Sequence, residues 1–456
     1  MPRICSFFLV VFALSAEQAD WIWSARYVIT EDAGARVIEN GAVAVRGARV
    51  LAVGTRAEID ARFTAGQRLD RPDAILAPGL INTHTYAAMS LFRGIAGDLR
   101  LEDWLEKFIF PAEANNVNAD FVRWGTRLGC LEMLLGGTTT FTDMYYFEDV
   151  AAEAAKEAGM RGVLGETIIG FPAPDNKTPT GALRFTERYL SRFAGDPLIV
   201  PAVAPHALYT NSDETLKAAR ALANRFHAPL LIHVAETKKE CDDELAKRHT
   251  TPVGTLDALG VFNGRTVAAH CVWVTEADMA ILKVRDVGVA HCPSSNMMLA
   301  SGVAPVVRML ALGIHVGLGP DGPAGSDNDF NLFEEMDLAA KLQKVTALDP
   351  QALSAATALA MATIGGARVL GMEKEIGSLE AGKRADMIVV RLDRPNAVPL
   401  YDPIAQMVYA LKAEDVRDVM VNGKPVVRDG GILTLNQPQI LAKAREYRDK
   451  IRASLR

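Results

Sequence analysis

The sequence predicts an α/β fold: a (β/α)8 barrel of the TIM type with a small composite β-sandwich formed by both chain ends. Three observations indicate it. Eight short apolar segments alternate with amphipathic helical segments through the middle of the chain. Turn-rich strand patterns flank that region on both sides. Polar side chains follow the ends of the apolar segments, which is where such barrels carry their active sites.

The predicted barrel strands are mostly continuous apolar runs, as expected for strands that are buried on both faces. They occupy residues 74–83, 138–143, 162–168, 198–204, 229–235, 266–271, 288–292 and 314–319. Helix signals lie between them, with Asn118 as an N-cap, Gly136-Gly137 as a stop and Ser212 before an acidic first turn. Eight alternating units favour a barrel over a doubly wound sheet.

The flanking strand patterns are most simply explained by one sandwich that is built from both ends of the chain. We therefore divide the chain into an N-terminal segment, a first β part, a barrel, a second β part and a C-terminal helix. Their ranges are 1–19, 20–73, 74–372, 373–436 and 437–456. The apolar run at 7–14 resembles a secretory signal; alternatively, the protein starts near Ala19.

Composition and charge exclude several classes of function. The chain has 456 residues, of which 49% are hydrophobic and 23% charged, as in soluble globular proteins. A net charge of −6 gives no reason to expect nucleic acid or a membrane as partner. Five scattered cysteines without a C-x-x-C pair argue against disulfides and thiolate zinc sites. We expect a small-molecule substrate, self-association into a homo-oligomer, and a cytoplasmic location, or export if the signal is real.

Histidines and carboxylates are concentrated at the predicted strand ends, which hold five of the eight histidines. The residues at these ends are His84, Asp143, Glu166, His206, His233, Glu236, His270, His291 and Asp321. Imidazoles with a carboxylate suit zinc or another divalent first-row metal. Because carboxylates can also exchange protons with water and substrate, the set has the chemistry of a hydrolytic metal site.

Five motifs in order resemble the amidohydrolase superfamily. They are "PGLINTHTYAAMSLFRG", "LIHVAET", "AAHCV", "HCPSSN" and "GLGPDGPAGSDND". The resemblance is greatest to the branch of 5-methylthioadenosine/S-adenosylhomocysteine deaminases and chlorohydrolases. "GSLEAGKRADMIVV" and "VMVNGKPVVRDG" are similar to the C-terminal β domain of that branch. The resemblance implies a metal-dependent deaminase that releases ammonia from an adenosine-like thioether.

The resemblance also implies roles for the residues at the metal. His84, His233 and Asp321 would bind one divalent metal, with zinc expected and iron as the alternative. Asp321 would take a proton from the attacking water as well. Glu236 would protonate the ring nitrogen beside the attacked carbon, and His270 would orient the hydroxide.

Further residues would hold the substrate. Glu113, in "FPAEA", would bind the ribose hydroxyls, and His206, in "PHALY", would make a second contact. Glu236 and Asp321 would face the ring, and Arg184 is a weaker candidate for the substrate tail.

The chain departs from the branch at three positions. Tyr86 replaces the second histidine of His-x-His, and it shares a strand face with His84. Because a phenol has an ordinary pKa of about 10, the site could bind metal weakly, select another metal or be inactive. Pro320, in place of threonine, predicts a shifted loop that keeps Asp321. Glu166 stands where some relatives have arginine, which argues against a carboxylate-bearing substrate.

Two other functions stay open from the sequence. One is hydrolysis of a different amino- or chloro-substituted heterocycle, such as guanine, cytosine or a triazine. The other is a catalytically silent barrel that binds a nucleoside or a protein partner, which the tyrosine at position 86 and Pro320 would favour.

Overall fold

The computed structural model describes residues 16–454, so the predicted N-terminal segment lies, up to residue 15, outside the described residues. The described chain forms a closed barrel of eight parallel strands and a separate eight-stranded mixed sheet. The predicted class, a TIM-type barrel with a composite β unit from both chain ends, is therefore confirmed. The composite unit is one continuous sheet.

The strands are numbered in chain order. They are β1 Glu17–Ile29, β2 Val37–Arg46, β3 Arg49–Thr55, β4 Phe63–Pro78, β5 Leu80–Thr85, β6 Thr138–Tyr145, β7 Arg161–Ile168, β8 Ile199–Pro205, β9 Leu230–Val234, β10 Thr266–His270, β11 Gly288–His291, β12 Val316–Leu318, β13 Met387–Arg391, β14 Val416–Val421, β15 Lys424–Arg428 and β16 Gly431–Ile432. Strands β5 to β12 close the barrel in chain order. Seven of the eight predicted barrel strands agree with the observed bounds to within two residues.

The α-helices are likewise numbered in chain order. They are α1 Arg56–Arg62, α2 Leu101–Trp104, α3 Phe110–Asn116, α4 Ala119–Leu135, α5 Glu148–Ala158, α6 Pro179–Arg192, α7 Asp213–Phe226, α8 Lys238–Arg248, α9 Pro252–Ala258, α10 Glu276–Val284, α11 Pro293–Met298, α12 Val306–Ala311, α13 Leu332–Ala347, α14 Ala355–Met361, α15 Ile364–Leu370, α16 Pro403–Ala405 and α17 Gln437–Ser454. Asn118 and Ser212 cap α4 and α7 through their side chains, as predicted. Within residues 16–454, no helix has the length and apolar character that a membrane crossing requires.

The composite sheet joins the two ends of the chain. Its strand order is β16-β15-β14-β13-β4-β1-β2-β3, so β4 from the N-terminal part pairs with β13 from the C-terminal part. The β2–β3 turn meets the segment before β13, where Val50 N–H donates to Lys383 O and Ala385 N–H to Ala48 O, both at 2.9 Å. The sheet therefore curls around its own apolar core.

The remaining predicted barrel strand, the first in chain order at 74–83, spans two observed strands. Strand β4 ends at Pro78 and pairs with β13, and barrel strand β5 begins at Leu80. Pro78 has no N–H to continue a ladder, and a Cβ on Gly79 would lie 2.1 Å from Thr139 Oγ1. The chain crosses from sheet to barrel at this dipeptide. The hydrophobic pattern does not reveal this break, because both strands are buried.

Candidate active site

A cavity opens among the loops that follow the carboxyl ends of the barrel strands. Six of the eight residues assigned roles from the sequence line it, namely Glu113, His206, His233, Glu236, His270 and Asp321. The seventh, His84, is buried behind the wall, with Nε2 3.2 Å from Asp321 Oδ1. The structure therefore brings seven of the eight residues to one site, and Arg184 does not line it.

Three histidines form the centre of the site. His84, His233 and His270 end strands β5, β9 and β10, and each offers a ring nitrogen within 4.8 Å of the other two. All three are buried. Parallel strands in a closed barrel converge at their carboxyl ends, which is why residues so far apart in sequence meet here.

Hydrogen bonds behind the cluster fix which nitrogen of two rings faces inward. His233 Nδ1 lies 2.6 Å from the backbone oxygen of His206, and a carbonyl only accepts, so Nδ1 carries the proton. His270 Nδ1 lies 3.0 Å from Asn296 Oδ1, which accepts in the same way. Both rings therefore present a lone pair on Nε2, and such outer contacts are typical of metal-binding histidines.

The cluster fits a divalent metal. Among residues 16–454, the buried Nε2 of His84 has no hydrogen-bond partner, although two imidazoles and a carboxylate surround it. Buried polar atoms are almost always paired, and a metal ion would satisfy this nitrogen. We conclude that the three-histidine arrangement supports a divalent cation. The carboxylate of Asp321 lies beside His84, outside the group of three.

Asp321 is held as an anion by its neighbours. Its Oδ2 accepts a hydrogen bond of 2.7 Å from Ser295 Oγ. Burial opposes ionisation, but His84, His270 and Ser295 outweigh it and hold the pKa of Asp321 well below its usual value. Its backbone adopts φ of +67° directly after Pro320, and the carboxylate still faces the cluster.

Tyr86 occupies the position of the missing histidine and bonds to the cluster. Its hydroxyl lies 2.8 Å from His233 Nε2, the nitrogen that carries the lone pair, so the phenol donates. The two rings are nearly parallel, 9° apart, with centroids separated by 6.1 Å. Burial, and then the charge of Asp321, raise the pKa of Tyr86 well above its usual value. The neutral phenol therefore competes with a metal for the lone pair of His233.

Two carboxyl groups in the cavity are protonated near neutral pH. Burial, and then Asp321, raise the pKa of Glu236 to about 8. Its Oε2 lies 3.9 Å from His270 Nε2. Burial also raises the pKa of Glu113 to about 8, against an opposing effect of the Tyr145 hydroxyl. Glu236 can therefore donate a proton next to the histidine cluster.

Other strand-end residues lie outside the cavity. Asp143 is buried, and its Oδ1 accepts a 2.8 Å hydrogen bond from the backbone N–H of Ala87, next to Tyr86. Glu166 is buried and accepts from the N–H of Glu148 at 3.0 Å. His291 is buried behind the site, and the side chain of Arg184 is exposed.

The sequence did not reveal most of the cavity wall. One side is an apolar segment that includes α2 and the π-helical turn Leu105–Ile109. Its Trp104 Nε1 donates to Ala324 O at 3.0 Å, which fastens it to the loop after Asp321. No spacing in the sequence marks this segment as part of a site. Ser295 and Asn296, by contrast, lie in the motif "HCPSSN" and could have been identified there.

Comparisons with known proteins agree with this geometry. Residues 75–426 match the Amidohydrolase family. The 5-methylthioadenosine/S-adenosylhomocysteine deaminase 1 of Syntrophus aciditrophicus is 46% identical over 92% of this chain and 94% of its own. The deaminase of that name from Syntrophobacter fumaroxidans is 45% identical over 95% and 98%. The crystal structure of an adenosine deaminase from Xanthomonas campestris with bound zinc has a TM-score of 0.94 and 39% identity, covering 96% of this chain and all of that one.

Proposed function

We propose that this chain, which belongs to the amidohydrolase family, deaminates adenosine-like thioethers of the 5-methylthioadenosine and S-adenosylhomocysteine class. It is a hydrolytic enzyme that acts on a carbon–nitrogen bond and releases ammonia. The observation that carries the substrate proposal is one cavity that combines the histidine cluster, a protonated Glu236 and the buried Glu113.

The metal would be held by His84, His233 and Asp321. Zinc is its simplest identity, because the donors are two imidazoles and one carboxylate. When bound, a divalent metal supplies the Lewis acidity that makes water a nucleophile near neutral pH. His270, whose ring is fixed by Asn296, lies within reach to orient that water.

The protein supplies both ends of the proton path. Asp321, held as an anion, accepts a proton from the attacking water. Glu236, protonated at neutral pH, gives its proton to the ring nitrogen beside the attacked carbon. A carbon–oxygen bond forms and the bond to the amino group breaks. The proton on Asp321 passes to the departing amino group, which leaves as ammonia, and the second proton of the water returns to Glu236.

Glu113 and His206 would hold the rest of the nucleoside. Glu113 is buried in the cavity wall, where its carboxyl group can form hydrogen bonds with two ribose hydroxyls. His206 lines the same cavity, and its Nδ1 lies 3.1 Å from Thr210 Oγ1, which fixes the ring. A free heterocycle would leave Glu113 without a partner, so the nucleoside is favoured over a guanine or triazine substrate.

The test is deamination of 5′-methylthioadenosine by zinc-loaded protein, followed by ammonia release and by the ultraviolet change of the adenine ring. We expect Glu113→Ala to raise KM by about tenfold, because it removes two hydrogen bonds of roughly 0.5–1.5 kcal/mol each. KM for free adenine should change little. The exposed Glu106 gives a matched control, Glu106→Ala. Absence of ammonia from every adenosine derivative, with metal bound, would instead support the silent barrel.

A further inference from the structure

The active-site cavity has no cationic wall. Of the residues that line it within the described range 16–454, none is lysine or arginine. Its ionisable carboxyls are those of Glu113, Glu236 and Asp321. A substrate group that enters this cavity therefore meets acids, imidazoles, phenols and apolar side chains.

One side of the cavity is continuously apolar. Leu101, Leu105, Ile109 and Phe110 lie on it, and they belong to the segment that Trp104 fastens to Ala324. Leu105 and Phe110 are only half-buried, so they form the edge between the cavity and solvent. A hydrocarbon substituent on the substrate would gain from covering this surface, whereas a charged one would lose water without gaining a partner.

Among the described residues, the two cavities that adjoin the active site are lined by four cations, Lys177, Lys239, Lys247 and Arg248. Beyond Leu105, Arg248 forms ion pairs with Asp213 at 2.8 Å and with Glu244 at 3.0 Å. Beyond Phe110, Lys177 Nζ donates to the backbone oxygen of Ala173 at 2.8 Å. None of these four side chains lines the active-site cavity.

Glu166 and Arg184, which the sequence analysis related to the substrate tail, do not add a cation to the cavity wall. Glu166 is a buried acid that accepts hydrogen bonds from the Glu148 N–H and, at 3.3 Å, from Asn176. The side chain of Arg184 is exposed and does not line the cavity. Neither residue supplies a positive charge to the substrate.

We infer that the active site selects adenosine thioethers with an uncharged 5′ substituent and discriminates against the amino-acid tail of S-adenosylhomocysteine. The inference rests on the proposed function and narrows its substrate class. An ammonium group on the tail could pair with one of the acids, but the carboxylate beside it would be desolvated among acids with no cation to meet it. Leaving a buried charge unpaired is among the strongest ways to reject a ligand.

The experiment compares kcat/KM for four substrates with the zinc-loaded, full-length protein. They are 5′-methylthioadenosine, 5′-butylthioadenosine, 5′-(3-carboxypropylthio)adenosine and S-adenosylhomocysteine. The butyl and carboxypropyl tails have nearly the same length and differ in charge. We expect the two uncharged substrates to agree to within about tenfold and both carboxylates to be slower by at least about 100-fold, as an unpaired buried charge predicts.

The outcomes separate this inference from the proposed function. If no thioether is deaminated, the proposed function fails. If S-adenosylhomocysteine is turned over as well as 5′-methylthioadenosine, the function stands and the inference is wrong. Loss of that turnover in Lys177→Gln or in Lys247→Gln would then identify the cation that binds the tail carboxylate. If the butyl compound is as slow as its carboxylate partner, size sets the selection, and the charge argument is overturned.

A charge placed on the cavity edge gives an independent test. Leu105→Lys or Phe110→Lys should raise the ratio of kcat/KM for the carboxypropyl to the butyl substrate by at least about tenfold, as one new ion pair with a desolvated carboxylate predicts. Leu105→Gln and Phe110→Gln are the matched neutral controls. If neither lysine variant exceeds its glutamine counterpart, charge does not set the selection. A variant that no longer folds leaves the four-substrate comparison on the natural protein to decide.

Discussion

Tyr86→His should turn a competitor of the metal into one of its ligands. The lone pair of His233 Nε2 accepts the phenol proton over 2.8 Å, because Nδ1 of the same ring already donates to His206 O. A metal that binds His233 must therefore displace the hydroxyl of Tyr86. A histidine at this position faces the same way as His84 and brings a neutral nitrogen that needs no deprotonation at pH 7.

The size of the effect has two parts. Removing the phenol hydrogen bond frees His233, and a typical net hydrogen bond of about 0.5–1.5 kcal/mol corresponds to a two- to tenfold gain in metal affinity. Adding a direct ligand contributes more, since even an outer partner of a ligand changes metal affinity by about 10–100-fold. Tyr86→Phe isolates the first part. We therefore expect Tyr86→His to exceed Tyr86→Phe by at least about tenfold.

The assay measures zinc affinity by competition with a chromophoric chelator, with metal content after dialysis as a second readout. Turnover of 5′-methylthioadenosine is measured at saturating zinc and at limiting zinc. The histidine variant should hold its metal through dialysis and gain most in turnover when zinc is limiting.

Two results would refute the competition between phenol and metal. One is a natural protein that already retains one zinc through dialysis, with a histidine variant that binds it no better and works no faster. The other is a phenylalanine variant that binds zinc more weakly than the natural protein, which would make Tyr86 a ligand. A drop in thermal stability without a change in metal content would show that Tyr86 only fills space.

Three other predictions concern buried acidic groups. Glu236→Gln should reduce deamination by about 10²–10⁴-fold with unchanged metal content, and near-normal turnover would remove Glu236 from the mechanism. Because the pKa of Glu236 is raised to about 8 and its protonated form is the donor, kcat/KM should hold below pH 8 and fall above it; a flat profile up to pH 10 would contradict this role. Arg161→Met should cost about 3–5 kcal/mol in urea unfolding, since it leaves Asp386, 3.0 Å from the guanidinium and 5% exposed, without its cation between barrel and sheet. Arg448→Met, at an exposed pair, is the control, and equal losses in both would contradict the assignment.

The barrel could be predicted because its strands are continuous apolar runs separated by capped helices. The caps at Asn118 and Ser212 act through their side chains as their residue types suggest. The boundary at Pro78-Gly79 could not be predicted in the same way. Both strands that meet there are buried, so hydrophobicity does not change, and only the pairing of β4 with β13 separates them.

The histidine cluster could also be predicted, because parallel strands bring their carboxyl ends together. The hydrogen bond from Tyr86 to His233 could not, since it depends on which nitrogen of His233 is protonated, and that depends on the backbone of His206. The apolar wall was missed for a related reason. Leu105 and Phe110 belong to an irregular helical segment whose position over the cavity is a tertiary property.

Tyr86 and the apolar wall act on different quantities, and this makes their effects separable. Tyr86 affects the metal, which every substrate needs, so Tyr86→His should raise kcat/KM by the same factor for thioethers with and without a charged tail. The apolar wall affects only the 5′ substituent, so a lysine at Leu105 should change the ratio between substrates while metal affinity stays constant. Because the two side chains lie on different parts of one cavity, the double variant should show the product of both effects. If Tyr86→His alone changes the ratio of kcat/KM between charged-tail and uncharged substrates, the metal centre and the wall are coupled. Selection of the tail then depends on residues near the metal.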